Sequence, residues 1–236
     1  MACAYAKTHK RNPAKKSDAP KAKERAERIH SDIYGPVTPT SLGGHKYFTL
    51  YVDEATGYRI VSFMKAKSDQ LRCFQELQSH ITTQFGKSIK FFHCDEDSVF
   101  VSSKMQDLLK EHGTELELSA PYCHAQNFLA ENSMRWVLEG ARAMMLHARA
   151  PGYMWAEAVA CFASVSNRLG KPYDTAWHGW TQRTDRSLEI DDFHVFGCLA
   201  VPEKHTGGKP QFGPKGTTRI FVGYAGTPGN YRTAAP

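Results

Sequence analysis

Between residues 28 and 170 the hydrophobic period of this chain switches repeatedly between strand and helix, and the order of the switches restricts the folds open to it. "RIHSDIY" (28–34) reads as a strand and is followed by the turn-rich "GPVTPTSLGG". "HKYFTLYVDE" (45–54) and "YRIVSFMKA" (58–66) flank a short "ATG" turn, the pattern of an antiparallel hairpin. The period then lengthens: Leu71, Phe74, Leu77, Ile81 and Phe85 recur at helical spacing, with Ser68 placed to cap the helix and Gly86 to end it. "SIKFFHCD" (88–95) is a short apolar run, read as a buried strand. "SSKMQDLLKEHG" (102–113) is a capped helix closed by Gly113, and "TELELSA" (114–120) alternates as a strand does. A long helix from about Ala125 to about Ala148 carries the apolar stripe Ala130, Met134, Val137, Ala141, Met144 and Ala148. A further helix, "PGYMWAEAVACFASVSNRLG" (151–170), opens on Pro and closes on Gly.

Strands joined through helices pair in parallel and carry helices on both faces of the sheet, while a leading hairpin makes the sheet mixed. The order is that of an RNase H-like α/β fold, with a mixed five-stranded sheet over residues 29–170. Residues 1–28 form a basic arm. Residues 171–236, richer in Gly, Pro and Thr, are expected to be a small irregular extension; they hold two short apolar runs, "FHVFGCLAV" and "RIFVGYAG".

Hydrophobic residues are 41% of the 236, enough for a core and too many for a disordered chain. No stretch nears the ~20 apolar residues of a membrane span, and the start lacks the apolar region of a secretion signal. The six cysteines (3, 73, 94, 123, 161, 198) form no CxxC pair and read as reduced thiols. The net charge of +6 sits wholly in residues 7–28, which hold nine Lys/Arg and three Asp/Glu. That segment, with Lys15 and Lys16 at its centre, reads equally as a solvated tail or as a phosphate-binding or nuclear-targeting arm.

Ligands of open α/β sheets gather at the carboxyl ends of strands. Asp32 lies in the first strand, Asp95 ends the fourth, and Glu131 lies early in the long helix. Singly, Asp32 could shape its loop, Asp95 could cap the next segment and Glu131 could be a solvated helix residue. Together, on matching elements, they suit two divalent metals: Mg²⁺ is held by few carboxylates plus substrate oxygens, and a metal pair serves phosphoryl transfer. Asp32 would bridge the ions, with Asp95 and Glu131 each completing one. Asn127, Arg135 and Arg142 fall near Glu131's side of the helix and read either as DNA contacts or, for the arginines, as ordinary exposed residues.

Over nearly its whole length the chain resembles the integrase region of copia-type long-terminal-repeat retrotransposon polyproteins. The resemblance rests on "CAYAKTHKRNP", "HSDIYGPVTPTSLGGHKYFTLYVDEATGY", "KAKSD", "IKFFHCDEDSVF", "SAPYCHAQNFLAE", "WAEAVACFASVSNR", "FHVFGCLAV" and "RIFVGYAG". It implies that Asp32, Asp95 and Glu131 are the acidic catalytic triad, with Mg²⁺ or Mn²⁺ as cofactor. The activity implied is transfer of an element's DNA 3′ end into target DNA in the nucleus, by a homo-oligomer. A DNA-binding remnant without catalysis is the alternative, and an RNase H-type nuclease a more distant one. The chain departs from the family pattern at Glu96 and Asp97, where Asn-Gly is usual, so Asp97 is expected to strain a turn that wants φ > 0. Phe128 stands where a glycine is usual, and "ENSMR" where Arg-x-Asn-Arg is. Of the family's zinc-binding CxxC only Cys3 matches, so no structural zinc is expected. These departures lead to the expectation of a fragment or a decayed copy.

Overall fold

The sheet follows from the alternation just described. In a computed structural model, which describes residues 21–119, 127–169, 176–182, 192–203, 216–225 and 230–235, five strands form one sheet. They are β1 (Arg28–Tyr34), β2 (Tyr47–Asp53), β3 (Arg59–Met64), β4 (Phe91–Cys94) and β5 (Glu115–Leu118), in the spatial order β3-β2-β1-β4-β5. The β1/β2 and β2/β3 pairs are antiparallel; β1/β4 and β4/β5, joined through helices, are parallel.

Because successive strand residues point to opposite faces, the sheet divides the core in two. Phe48, Leu50 and Val52 of β2 pack beneath α3 (Phe128–Ala148) and α4 (Trp155–Arg168), meeting Met134, Val137, Ala141 and Val159. Ile29, Tyr51 and Phe92 face the other way. They meet Phe74 and Ile81 of α1 (Gln70–Phe85) and Met105 and Leu109 of α2 (Ser103–Glu111). Helices thus cover both faces. A short helix, α5 (Ala176–Thr181), sends Trp180 into the second core, stacked on Tyr58 at 5.2 Å between ring centroids.

Helix ends show local chemistry at work. Ser102 accepts the Met105 N–H at 3.4 Å and caps α2, as its position predicts. Ser68 does not cap α1; it lies in a 3-10 turn, Lys67–Asp69. The Asp69 carboxylate fixes that turn by accepting the N–H groups of Lys65 and Ala66 at 2.9 and 3.2 Å. Gly86 ends α1 at φ 63°, a left-handed position that glycine adopts without steric cost.

Residues 21–28 are tied to the core. Ala26, buried, donates its N–H to Asp53 Oδ1 at 2.8 Å, Ala22 donates to Glu54 Oε2 at 2.8 Å, and Lys87 reaches Glu24 at 2.6 Å. Residues 1–20, with Cys3, Lys15 and Lys16, lie outside the described residues. Towards the other end, "RIFVGYAG" contributes β7 (Arg219–Tyr224), between β6 (Leu199–Ala200) and β8 (Tyr231–Ala234), in a small antiparallel sheet. Phe221 and Val222 bury against α4. The described part of the extension is therefore more regular than its Gly and Pro content suggests, because this strand has a core to join.

Candidate functional site

The parallel register of β1 and β4 pairs Ile29 with Phe92 and His30 with His93. Two residues further along both chains, on the same face, stand Asp32 and Asp95, the latter just beyond the end of β4. Extending that register by two residues brings Asp32 and Asp95 to the carboxyl ends of neighbouring strands.

Asn127 brings in the third acid. Its side chain is fully buried, and its amide donates to the Ser31 carbonyl and to Asp95 Oδ1, both at 3.2 Å. Its backbone carbonyl accepts the Glu131 N–H at 3.0 Å, the first rung of α3. One residue thus pins the first turn of the long helix, carrying Glu131, to the β1/β4 seam. Expected as a DNA contact, Asn127 has a side chain without exposed surface, committed to β1 and to Asp95.

The electrostatics of Asp32 carry the influence of its acidic neighbours. Asp32 accepts the Ile33 N–H at 2.8 Å, yet its carboxyl is pushed from 3.8 up to about 6. Burial is the largest cause; the Ile33 hydrogen bond opposes it, and the charges of Asp95, Glu131 and Asp97 add to it. Among the described residues no group of three or more His, Cys, Asp or Glu side chains is placed to hold a metal ion. The donor set nevertheless fits a hard divalent cation. It is all oxygen, its members repel one another, and the buried Asn127 Oδ1 meets no donor among the described residues. Mg²⁺ needs only one or two carboxylates when water and phosphate supply the rest, so an open arrangement suits it.

Asp97 does not behave as its neighbours in sequence suggest. The described non-glycine residues with positive φ are Ala26, Arg149 and Gln182, so Asp97 carries no left-handed strain. Its carboxylate accepts Lys67 Nζ at 2.6 Å and the Val99 N–H at 3.3 Å. Burial raises its pKa, but Lys67 and these hydrogen bonds outweigh that and hold it below the ordinary value. Lys67 comes from "KAKSD", a segment whose part in the site only the tertiary fold discloses. Glu96 is exposed, as is Phe128, with 64% of its surface open at the first position of α3.

Arg135 and Arg142 are exposed on α3. Four and eleven residues beyond Glu131, at about 100° per residue, they fall within ~40° of it around the helix. Arg135 Nη2 donates to Asn132 Oδ1 at 2.6 Å. Lys15 and Lys16 lie outside the described residues.

A histidine pair escaped the sequence reading. "HSD" and "HCD" are the same His-x-Asp pattern on paired strands, so His30 and His93 lie one pleat below the two aspartates with ring centroids 4.8 Å apart. Burial, then the neighbouring His93, pushes His30 down to about 4, which keeps it neutral near pH 7.

Comparison with known proteins bears on the family and the fold. Residues 22–124 match the family profile described as "Integrase core domain". The chain is 26% identical over 211 residues to the "Retrovirus-related Pol polyprotein from transposon TNT 1-94" of Nicotiana tabacum, covering 88% of this chain and 16% of that protein. It is 26% identical over 206 residues to the "Retrovirus-related Pol polyprotein from transposon RE1" of Arabidopsis thaliana, covering 87% of this chain and 14% of that protein. The chain therefore spans about one sixth or less of the length of these relatives. In fold it is similar to the "HTLV-2 integrase catalytic core domain in complex with magnesium (dimeric form)". That match has a TM-score of 0.50 and 15% identity, over 66% of this chain and 97% of that one.

Proposed function

From the match of residues 22–124 to the integrase core domain and the similarity of 88% of the chain to a retrotransposon Pol polyprotein, we propose that this chain, as the integrase region of a copia-type long-terminal-repeat retrotransposon polyprotein, transfers DNA strands. A 3′-hydroxyl of element DNA attacks a target phosphodiester; a new P–O bond forms, an old one breaks, and a target 3′-hydroxyl leaves. The observation that supports this reading is the parallel β1/β4 pairing that ends at His30 and His93, two residues before Asp32 and Asp95, with Asn127 bonded to both the Ser31 carbonyl and Asp95 at the start of Glu131's helix.

Asp32, Asp95 and Glu131 would hold one or two Mg²⁺ or Mn²⁺ ions, which when bound activate the attacking oxygen and stabilise the leaving one. The remaining work falls to the chain itself. Asn127 orients Asp95 by donating to one carboxylate oxygen, leaving the other open. Lys67 neutralises Asp97 and so removes one charge that would repel phosphate. Arg135 and Arg142 offer a line of phosphate contacts along α3, and the arm with Lys15 and Lys16 adds sequence-independent attraction by releasing counterions. The protein would act on chromosomal DNA in the nucleus as a homo-oligomer.

The test mixes purified protein, a labelled 3′-hydroxyl duplex, plasmid and Mg²⁺ or Mn²⁺, with Asp95→Asn as control. Joined product from wild type and none from the variant is the expected result; equal product from both overturns the assignment. The exposed Phe128 beside the acids favours a second reading, a DNA-binding remnant, for which duplex binding without joining in either metal is the signature.

A further inference from the structure

Arg59 opens β3, the edge strand of the sheet, and its backbone is held with unusual firmness. Asn167 of α4, buried, accepts the Arg59 N–H at 2.9 Å and donates to the Arg59 carbonyl at 2.7 Å. From this fixed backbone the guanidinium lies over the indole of Trp136 on α3, with Cζ 4.5 Å from the ring centroid. Trp136 is itself 41% exposed and is supported from behind. Phe162 of α4 meets it edge to face with centroids 5.3 Å apart. Phe162 can sit there because Gly140, one turn beyond Trp136, has no side chain: a Cβ at 140 would lie 2.0 Å from Phe162 Cε2.

The charge on this platform is uncompensated. Arg28, also partly buried, is met by Glu54 and Glu117, each at 3.0 Å. Among the described residues no carboxylate or other acceptor meets the Arg59 guanidinium, and its Nε is buried without a partner. Burial alone lowers its pKa. A desolvated cation without a counter-charge costs free energy until an anion completes it. Arg59, Asn132, Ser133, Arg135, Trp136 and Glu139 enclose about 330 Å³ around it, a ligand-sized volume. Two arginines against one glutamate leave that space net positive. A cation beside an exposed aromatic is the pairing that holds a nucleic-acid strand, the one taking phosphate and the other the flat surface of sugar and base.

We propose that the Arg59–Trp136 pocket is a nucleic-acid subsite, taking a backbone phosphate on Arg59 and the adjoining sugar and base of an unpaired DNA nucleotide against Trp136. Trp136 lies five residues beyond Glu131 on α3, roughly 8 Å along the axis and about 140° around it, so the subsite lies on a different flank of α3 from the carboxylates. The inference rests on the reading of this chain as a protein that acts on DNA, but not on its catalysis.

The test is fluorescence anisotropy of a short labelled oligothymidylate in EDTA, with the full chain and a salt titration. Arg59→Gln and Trp136→Leu should each weaken binding about tenfold or more. Arg59→Gln should also lower the salt slope by about 0.7, the share of one phosphate contact on a single strand. Arg59→Lys should keep the slope while losing affinity, because a point charge replaces the planar fork. Glutamine at 59 leaves the backbone bonds to Asn167 intact, so that variant remains informative should Trp136→Leu fail to fold. Wild-type affinity and slope in the folded Arg59→Gln protein overturn the proposal, as does a wild type that binds no oligonucleotide. Strand joining is scored on the same preparations. Variants that bind and join normally sink the pocket and leave the proposed activity standing. Binding lost in variants of a protein that never joins DNA sustains the pocket and sinks the activity.

Discussion

Replacing Asp32 with asparagine should make the metal-free protein more stable while removing its response to metal. The Asp32 carboxyl moves from 3.8 to about 6 in the folded chain, chiefly by burial and then by three neighbouring carboxylates. The folded state therefore binds this proton more tightly than the unfolded state, and stability falls as pH rises from about 4 to about 6. Above that window the full penalty is present: about 2 pKa units, or about 3 kcal/mol, as an upper value. Asparagine removes the charge and can still accept the Ile33 N–H, so it should recover up to about 3 kcal/mol at pH 7.5. For a chain of this size that is a rise in melting temperature of up to about 10 °C. At pH 4 the gain should vanish, because the native carboxyl is then protonated. Mg²⁺ at a hundredfold excess over its Kd should stabilise wild type by about 2.7 kcal/mol, and the variant by little. The assay is thermal or urea unfolding in EDTA and in Mg²⁺ at both pH values. A variant no more stable than wild type at pH 7.5, or equally stabilised at pH 4, would refute the reasoning.

Two further expectations follow from contacts around the site. Asp97→Gly, which restores the residue usual in the family, should not raise strand joining. It loses the Lys67 ion pair and the Val99 hydrogen bond, at a cost of about 1 kcal/mol; a clear gain in joined product would show the carboxylate to be harmful after all. Deleting residues 1–20 should weaken duplex binding and flatten its salt dependence, and the melting temperature of that protein is the reference for a longer cut. Extending the cut through residue 28 should lower it sharply, because the bonds of Ala22, Ala26 and Glu24 to the core go with it; equal melting of the two truncations would contradict this.

Strand and helix order was legible from periodicity because each element carries its own apolar stripe, and that order put Asp32 in the first strand and Asp95 at the end of the fourth. What periodicity could not convey was direction in three dimensions. Asn127 sits where a polar loop residue would face a ligand, yet it turns inward, since the β1/β4 seam offers a bare carbonyl at Ser31 and a carboxylate at Asp95. Asp97 looked like an added charge because its partner, Lys67, is 30 residues away in the chain. The Arg59–Trp136 stack joins a strand to a helix across 77 positions, beyond any local pattern. Asp69, one residue past Ser68, stands at the start of α1, and its carboxylate turns back to Lys65 and Ala66 without capping the helix.

The Asn167 amide that grips Arg59 also decides how this sheet ends. A strand at a sheet edge presents unpaired N–H and carbonyl groups on which another chain can add a strand. At Arg59 both groups are taken by a side chain from the same molecule, an imitation of the neighbour that is not there. The opposite edge, β5, is only four residues long and two of them are glutamates. Copies of this chain are thereby discouraged from growing into a continuous sheet by adding strand to strand at either edge.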